Sequence, residues 1–141
     1  MATHKDITRN FIEQIWNNQQ YDYADQFLHT DFKDHSLPGH FPQGKEGTLQ
    51  WIQQTGQSFE HFTHIEEIVS EDGKVMMKIR MELKHIGTWR DIAPTGFSIA
   101  TIGYRYFKLK EGKILEHWAL IDGNSIESQL KSSTHGCKIQ E

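Results

Sequence analysis

The alternation of side chains over residues 75–84 constrains the fold of this chain more than any other feature of its sequence. Apolar residues occupy every second position, namely Val75, Met77, Ile79, Met81 and Leu83. The positions between them are mostly charged, namely Met76, Lys78, Arg80, Glu82 and Lys84. Successive side chains point to opposite faces of a β-strand, so a period of two is typical of a strand with one buried face. We therefore expect a long strand that packs one side against a core.

The rest of the second half is also typical of antiparallel strands. Residues 62–69 precede the turn sequence Glu71-Asp72-Gly73-Lys74, and the alternating strand follows that turn. Two more strands are expected over residues 97–109 and 113–121, on either side of Lys110-Glu111-Gly112. Glycine in such short connections favours β-hairpins.

The first half instead shows the helical spacing of apolar residues. We expect helices over residues 6–19, 23–28 and 45–59, with a short extended piece at residues 31–36. Helices followed by a long antiparallel sheet are typical of the α+β class.

The length of 141 residues suits one domain, which we place at residues 1–130. Asn124 is followed three residues later by Glu127, and this capping-box spacing predicts the start of a short last helix. We expect residues 131–141 to form a C-terminal tail.

The composition argues against several classes of partner. The formal charge is −4 and no basic stripe is present, so we expect no nucleic-acid partner. No stretch approaches the 18 or so apolar residues of a membrane-spanning helix, so we expect no membrane association. Cys137 is the single cysteine, which is typical of a reducing compartment. We therefore expect a cytoplasmic protein.

The second hairpin suggests a pair of polar residues on an apolar face. Residues 110–112 suit a three-residue loop that is closed by a glycine bulge. Counting outward from that loop puts Arg105 opposite His117, with Gly103 opposite Ala119 just beyond. All four side chains then share one face of the sheet. The two small residues would leave a gap that a ligand can occupy.

The other face of the same hairpin is also apolar, since it carries Ile102, Tyr104, Tyr106, Trp118 and Leu120. A sheet that is apolar on both faces needs cover on both. Helices can cover one face, and we expect a second copy of the chain to cover the other. The sequence therefore predicts a homodimer that forms through the sheet.

A series of short motifs follows a fixed order in the second half: Gly87-Thr88, Pro94-Thr95-Gly96, Gly112-Lys113-Ile114, Glu116-His117-Trp118, Asp122 and Gln129-Leu130. The N-terminal helix and the segment Asp31-Phe32-Lys33-Asp34-His35 add to this pattern. Together they resemble the SnoaL-like polyketide cyclase family, over roughly residues 5–130.

This resemblance implies a cone-shaped α+β fold, in which a strongly curved antiparallel sheet wraps around the N-terminal helices and leaves an internal apolar pocket. The family's cyclases close a ring by intramolecular aldol addition, with acid/base side chains and neither cofactor nor metal. A small-molecule ligand and no cofactor are therefore implied here. Four positions depart from the family pattern. Trp89 replaces the third residue of a Gly-Thr-His motif, and Ala93 replaces the first residue of a Pro-Pro-Thr-Gly motif. The acid/base aspartate of the cyclases corresponds to Ala119, and their second pocket histidine corresponds to Arg105.

Three residues are candidates for catalysis. His117 is the first, because an imidazole titrates near neutral pH and exchanges protons readily. The alternative is a structural histidine. Arg105 is suited to hold a carboxylate or to stabilise an enolate oxygen as a fixed positive charge, or it forms a structural ion pair. Asp122 resembles a recurrent family residue, and a role in a turn or helix cap is an equal alternative.

Six further residues are candidates for ligand contacts: His35, His40, Trp51, His85, Trp89 and Ala119. Asp34 and His35 end the extended piece before a loop rich in proline and glycine, where pocket-rim contacts and turn capping are both open. The tryptophans have core or interface roles as their alternative. No histidine and carboxylate set has a recognised metal-binding spacing, and His61 with His64 reads as a surface pair. We expect no metal site.

These observations support two functions of different classes. The first is a cofactor-independent lyase or isomerase that acts on a small apolar ketone or ester, with His117 as general base and Arg105 at the oxyanion. The second is a non-catalytic small-molecule-binding protein with the same pocket, which the alanine at position 119 favours. A third interpretation, an interaction module, predicts a filled core without a cavity.

Overall fold

The computed structural model of this chain describes the backbone of residues 2–139 and the side chains of residues 2–132. Within them the helices α1 to α3 are His4–Phe11, Lys45–Ser58 and Gly123–Ile139. The strands β1 to β5 are Leu28–Asp34, Phe59–Glu71, Lys74–His85, Ser98–Lys110 and Lys113–Ile121. A π-helical turn, Ile12–Asn17, continues α1, and a 3₁₀ helix spans Tyr21–Gln26. The predicted α+β fold is confirmed.

The N-terminal helix begins at a capping box. The Thr3 hydroxyl accepts a hydrogen bond from the Asp6 backbone N–H, and the Asp6 carboxylate accepts one from the Thr3 backbone N–H. The apolar stripe of this helix then points into the core, with its largest members buried: Phe11, Ile12, Ile15 and Trp16. The helix therefore supplies one wall of the interior.

The five strands form one curved, open sheet in the order β1-β5-β4-β3-β2. All neighbours are antiparallel except β1 and β5, which run parallel. The sequence predicts antiparallel strands throughout, and β1 differs because no hairpin turn links it to its neighbour. This one parallel pair determines which side chains meet in the interior.

The long alternating strand behaves as its sequence predicts. The odd-numbered residues of β3 are buried under the helices, from Val75 to His85. The same face of β4 carries the buried residues Thr101, Arg105 and Phe107. The concave face of the sheet is therefore the core face, and Arg105 lies within it.

The register predicted for the second hairpin is wrong by two residues. Lys110 pairs with Lys113, so the loop is a two-residue turn in which Glu111 and Gly112 both have positive φ, of 55° and 76°. A bulge then leaves Leu115 as the extra residue between the pairs that flank it. As a result Ala119 faces Arg105, and His117 faces Phe107.

The last helix begins and ends elsewhere than the capping pattern predicts. Asp122 caps α3, because its Oδ1 accepts a hydrogen bond from the Ser125 backbone N–H at 2.9 Å. The helix continues to Ile139, so backbone that we expected to form a tail is helical as far as the structure describes it. A capping box predicts where a helix starts and not where it ends. Within residues 2–139, no helix is long and apolar enough to span a lipid bilayer.

A close approach of backbone to backbone holds α2 in place. A Cβ atom at Gly47 would overlap the carbonyl oxygen of Pro42, in the loop that joins β1 to α2. The neighbouring residue, Thr48, donates its hydroxyl hydrogen to Asp34. The glycine thus lets the loop pack tightly at the point where α2 contacts a buried carboxylate.

We predict that Gly47→Ala destabilises the protein by about 1–3 kcal/mol, although alanine is the better helix former. The added methyl group would force the loop and helix apart. Urea unfolding followed by circular dichroism measures the change. Gly39→Ala is the matched control, because nothing lies within 4 Å of a Cβ atom there, and it should leave the midpoint unchanged. Equal midpoints for the two variants would contradict the prediction.

Candidate functional site

Three charged or titratable side chains meet beneath the concave face of the sheet. Asp34 ends β1 and pairs with His117 of β5 in the parallel register, and Arg105 projects from β4 beside them. Their exposed fractions are only 4%, 4% and 3%. Their buried neighbours on this face include Phe32, Phe107 and Ile114, so the sheet brings polar groups that are far apart in the sequence together in a largely apolar setting. We call these three residues the buried cluster.

The buried cluster is a chain of polar contacts with His117 in the centre. His117 Nδ1 lies 3.1 Å from Asp34 Oδ2, and His117 Nε2 lies 3.4 Å from Arg105 Nη1. Asp34 also accepts hydrogen bonds from the Thr48 hydroxyl and the Ser36 backbone N–H, both at 3.0 Å. This arrangement places the histidine proton on Nδ1, toward the carboxylate, and leaves the Nε2 lone pair facing the guanidinium.

Burial and neighbouring charges determine the ionisation of the buried cluster. Burial lowers the pKa of His117 more than the bonded Asp34 raises it, and Arg105 lowers it further. Burial raises the pKa of Asp34, but the hydrogen bonds to that carboxylate outweigh burial and lower it. Burial also lowers the pKa of Arg105 to about 10. At neutral pH the cluster is therefore a carboxylate, a neutral imidazole and a guanidinium.

Arg105 lacks the partner that a buried guanidinium normally has. Its Cζ atom lies 4.4 Å above the ring of Trp16, in a cation–π contact. Its Nε atom is buried without a hydrogen-bond partner, and no carboxylate of the described residues lies within ion-pair distance of it. Asp34 raises its pKa from a distance but bonds to His117 instead.

An internal cavity of about 290 Å³ has Arg105 in its wall. Its walls are mostly aromatic and aliphatic: Trp16, Trp51, Phe59, Trp89, Met81, Leu83, Ile121 and Ile126. Its polar lining comes from Gln54, Thr55, Ser58, Arg90 and Arg105. A larger depression of about 790 Å³ lies over β2, β3 and β4, but it is shallow and contains none of the buried cluster. An interaction module with a filled core does not account for the internal cavity.

The structure brings four of the expected site residues to the cavity or the buried cluster. Arg105 and His117 are in contact, although they are diagonal neighbours rather than directly opposite residues. Trp51 and Trp89 line the cavity. Trp16 lines it as well, and sequence reasoning assigned that residue only to the apolar stripe of a helix.

Other expected contact residues lie away from the cavity. His35 stacks on Trp118 with ring centroids 4.5 Å apart, on the opposite face of the sheet from Arg105. His40 packs on Phe41, in the loop before α2. Ala119 pairs with Arg105 across the sheet, but its backbone N–H donates to Ser36 and it does not line the cavity.

His85 and Asp122 have structural partners. His85 is fully buried, and its Nδ1 accepts a hydrogen bond from the Thr95 backbone N–H at 3.2 Å. Asp122 is the exposed cap of α3. The predicted gap beside Gly103 is filled, because the side chain of Ile121 packs there. No group of three or more potential metal ligands occurs among the described residues.

Asp34 is the residue whose main contact sequence reasoning missed. Asp34 and His35 were considered together for pocket-rim contacts or turn capping, and Asp34 does cap the turn at Ser36, but its bond to His117 was not predicted. Alternation within β1 gives a local signal, since Phe32 and Asp34 share the buried face while Lys33 is exposed. The identity of its partner required the parallel pairing with β5.

Comparisons with known proteins agree with this architecture. The family model described as SnoaL-like polyketide cyclase matches residues 6–130. The structure of IdmH from Streptomyces antibioticus aligns with a TM-score of 0.82 at 19% identity, over 92% of this chain and 99% of that protein. TsrD from Streptomyces laurentii aligns at 0.79 and 17% identity, over 89% and 92%.

A SnoaL-like polyketide cyclase from Agrobacterium tumefaciens aligns with a TM-score of 0.77 at 19% identity, over 92% of this chain and 99% of that one. A comparison with curated protein sequences finds no match. At these identities, the structural neighbours establish the fold and leave the reaction open.

We predict that the free energy of unfolding decreases at acidic pH because of His117. Because burial lowers its pKa, the folded state keeps this imidazole neutral while the unfolded chain takes up a proton near pH 6.5. Folding stability is therefore lost as the pH falls below about 6.5. Asp34 adds to this loss only at lower pH, below its unfolded pKa of about 3.8.

The measurement is urea unfolding of wild type and His117→Gln between pH 7.5 and pH 5. The stability advantage of wild type should shrink as the pH falls, because glutamine does not titrate. Val69→Ser, at a 63% exposed position on β2, is the control, and its difference from wild type should not change with pH. A constant advantage over His117→Gln across this range would exclude a buried neutral imidazole.

Proposed function

This chain belongs to the SnoaL-like polyketide cyclase family, and we propose that it is a cofactor-independent lyase or isomerase acting on a small ketone or ester in the internal cavity. The observation that carries the proposal is the buried cluster, whose guanidinium lines the cavity. Acid/base chemistry on a carbonyl compound needs a proton acceptor and a positive group near the oxygen. His117 and Arg105 provide this combination next to an apolar space.

In the proposed reaction, Arg105 donates a hydrogen bond to the substrate's carbonyl oxygen. His117 Nε2 removes a proton from the adjacent carbon, and the electron pair of that C–H bond moves to the oxygen to form an enolate. The enolate then either recovers the proton at another carbon or attacks a second carbonyl group. In the second case His117 returns its proton to the new alkoxide, so no cofactor is consumed.

Asp34 supports His117 in this scheme. The Asp34 carboxylate accepts a hydrogen bond from the Nδ1–H of His117. This bond fixes the orientation of the imidazole ring and stabilises the imidazolium that forms when Nε2 takes up a proton. The resemblance implies an acid/base aspartate two residues after the histidine, where this chain has Ala119. We propose that Asp34 supplies the carboxylate from β1 instead, as a positioning residue that does not touch the substrate.

A second candidate function is a non-catalytic small-molecule-binding protein. The observation in its favour is that His117 does not line the cavity, because Arg105 lies between His117 Nε2 and the cavity. Catalysis therefore requires the guanidinium of Arg105 to move toward the substrate, so that His117 Nε2 is free to accept a proton. The 3.4 Å separation makes that contact weak, which favours such a movement.

We predict that the protein exchanges the α-protons of small ketones for deuterium, as read by proton NMR in D₂O with a panel that includes 2-tetralone and aryl methyl ketones. His117→Ala should slow the enzymatic exchange by about 10²- to 10⁴-fold. Arg105→Met should slow it by about 10²- to 10³-fold. Val69→Ser, at an exposed position on β2 away from the cavity, should exchange at the wild-type rate.

Unchanged exchange in His117→Ala would remove this residue from the mechanism. Saturable binding of the ketones without any exchange would favour the binding protein over the enzyme.

We also propose that the outer face of the sheet pairs with a second copy of the chain. Ile102, Tyr104 and Leu120 are 45%, 48% and 76% exposed on that face. A continuous apolar surface of this kind is typical of an interface. A cytoplasmic location is a further proposal, which rests on the single cysteine.

We predict that light scattering after size-exclusion chromatography gives a dimer mass, and that Leu120→Glu gives a monomer because it puts a charge into the buried contact. Val69→Glu is the control, since Val69 is 63% exposed on β2 outside that patch, and it should leave the mass unchanged. A monomer mass for wild type at micromolar concentration would contradict the interface.

A further inference from the structure

We infer that the ligand of the internal cavity is an organic acid with a planar aromatic body, bound with its carboxylate on the guanidinium of Arg105. This inference rests on the proposed function, since it concerns the same cavity. The sequence and the family resemblance predict a small apolar ketone or ester, and they leave open whether Arg105 holds a carboxylate or stabilises an enolate oxygen. The structure gives two reasons to expect a negative charge on the ligand before any reaction takes place, and a third reason to expect a flat aromatic body.

The first reason is the unmatched charge of Arg105. Arg105 is only 3% exposed, and the carboxylate of Asp34 is hydrogen-bonded to His117 and not to Arg105. Its Nε atom has no partner, and its Nη1 atom meets only a neutral ring nitrogen. Burying a charge without an ionic partner is costly, and a guanidinium edge fits a carboxylate through two parallel hydrogen bonds. A bound carboxylate would supply the missing partner.

The second reason is the sign of the charge around the cavity. Among the described residues, the charged ones that line it are Arg105 and Arg90, and the lining includes no aspartate or glutamate. The whole chain carries a net charge of −4, so this lining does not follow from composition. Arg90 already bonds Asn124 and Glu127 of α3, at 3.2 Å each. Arg105 is therefore the lining cation whose charge is left for a ligand.

The third reason concerns the body of the ligand. Trp16, Trp51 and Trp89 line the cavity together with Phe59, and they enclose a volume of about 290 Å³. Flat side chains on several walls favour a flat ring system, which offers stacked or edge contacts to each of them. The cavity volume is at the lower end of the range for ligand sites, so we expect one or two fused rings.

An aromatic keto acid reconciles this ligand with the proposed reaction. In such a compound a carboxylate oxygen and a neighbouring carbonyl oxygen lie close enough to meet the same guanidinium. The carboxylate neutralises the charge that is already present, and the carbonyl oxygen receives the charge that develops on enolisation. Arg105 then both binds the carboxylate and stabilises the enolate.

Isothermal titration calorimetry with two probes of matched shape tests the inference. The acid probe is 2-naphthoate, and the neutral probe is 2-acetylnaphthalene, in which a methyl group replaces one carboxylate oxygen. We expect wild type to bind the acid at least tenfold more tightly than the ketone. Arg105→Met should weaken acid binding by about 10- to 100-fold and ketone binding by a smaller factor, so that the preference for the acid is lost. Arg105→Lys should recover part of the preference for the acid.

Arg90→Met is the matched control, because it removes the other lining guanidinium, and it should keep the preference for the acid. Thermal unfolding of each variant shows that it is folded before titration. Equal affinity of wild type for the two probes would overturn the inference and leave the proposed reaction on neutral ketones intact. A preference for the acid that survives Arg105→Met but not Arg90→Met would also overturn it. Tight binding of the acid with no deuterium exchange on any ketone would support the inference while the enzymatic proposal fails.

Discussion

The parallel pairing of β1 with β5 is the constraint on which the buried cluster depends. It brings Asp34 beside His117, two residues that are 83 positions apart, and their side chains bond at 3.1 Å. Without this register the Nδ1–H of a fully covered imidazole would lack an acceptor, and a buried polar group without a partner costs about 1–3 kcal/mol. The tight turn before α2 matters for the same reason, because Gly47 allows the packing that directs Thr48 onto Asp34.

The order of the three groups explains how they stay buried together. A neutral imidazole separates the anion from the cation, so neither charge has a full ionic partner. Asp34 is compensated by hydrogen bonds from Thr48, Ser36 and His117, while Arg105 relies on the ring of Trp16 and on the distant carboxylate. Apolar residues of similar volume would make a more stable core at these positions. That the chain keeps charges here favours a functional role for them.

The sequence predicts the faces of the strands better than their pairing. In the hairpin of β4 and β5, the predicted loop has three residues where the structure has two. The prediction also lacks the bulge at Leu115 in β5. Together these two errors shift the predicted pairing of β4 with β5 by two residues. A shift of two keeps every side chain on its face, which is why Arg105 and His117 still meet. Asp34 could not be predicted as the partner of His117, because the parallel pairing of β1 with β5 has no local pattern in the sequence. The length of α3 was missed because nothing in its capping sequence marks an end.

The buried cluster also explains how a site that binds a carboxylic acid can bind the enolate formed from that acid still more tightly. Both species place negative charge near Arg105, and catalysis requires the transition state to be bound more tightly than the ground state. In the proposed reaction His117 is neutral when the acid binds and becomes an imidazolium as the proton leaves carbon. The positive charge beside the oxygen thus increases only as the enolate forms. Because Arg105 and His117 are only 3% and 4% exposed, this added charge acts more strongly than it would in solvent, and Asp34 limits the cost of creating it.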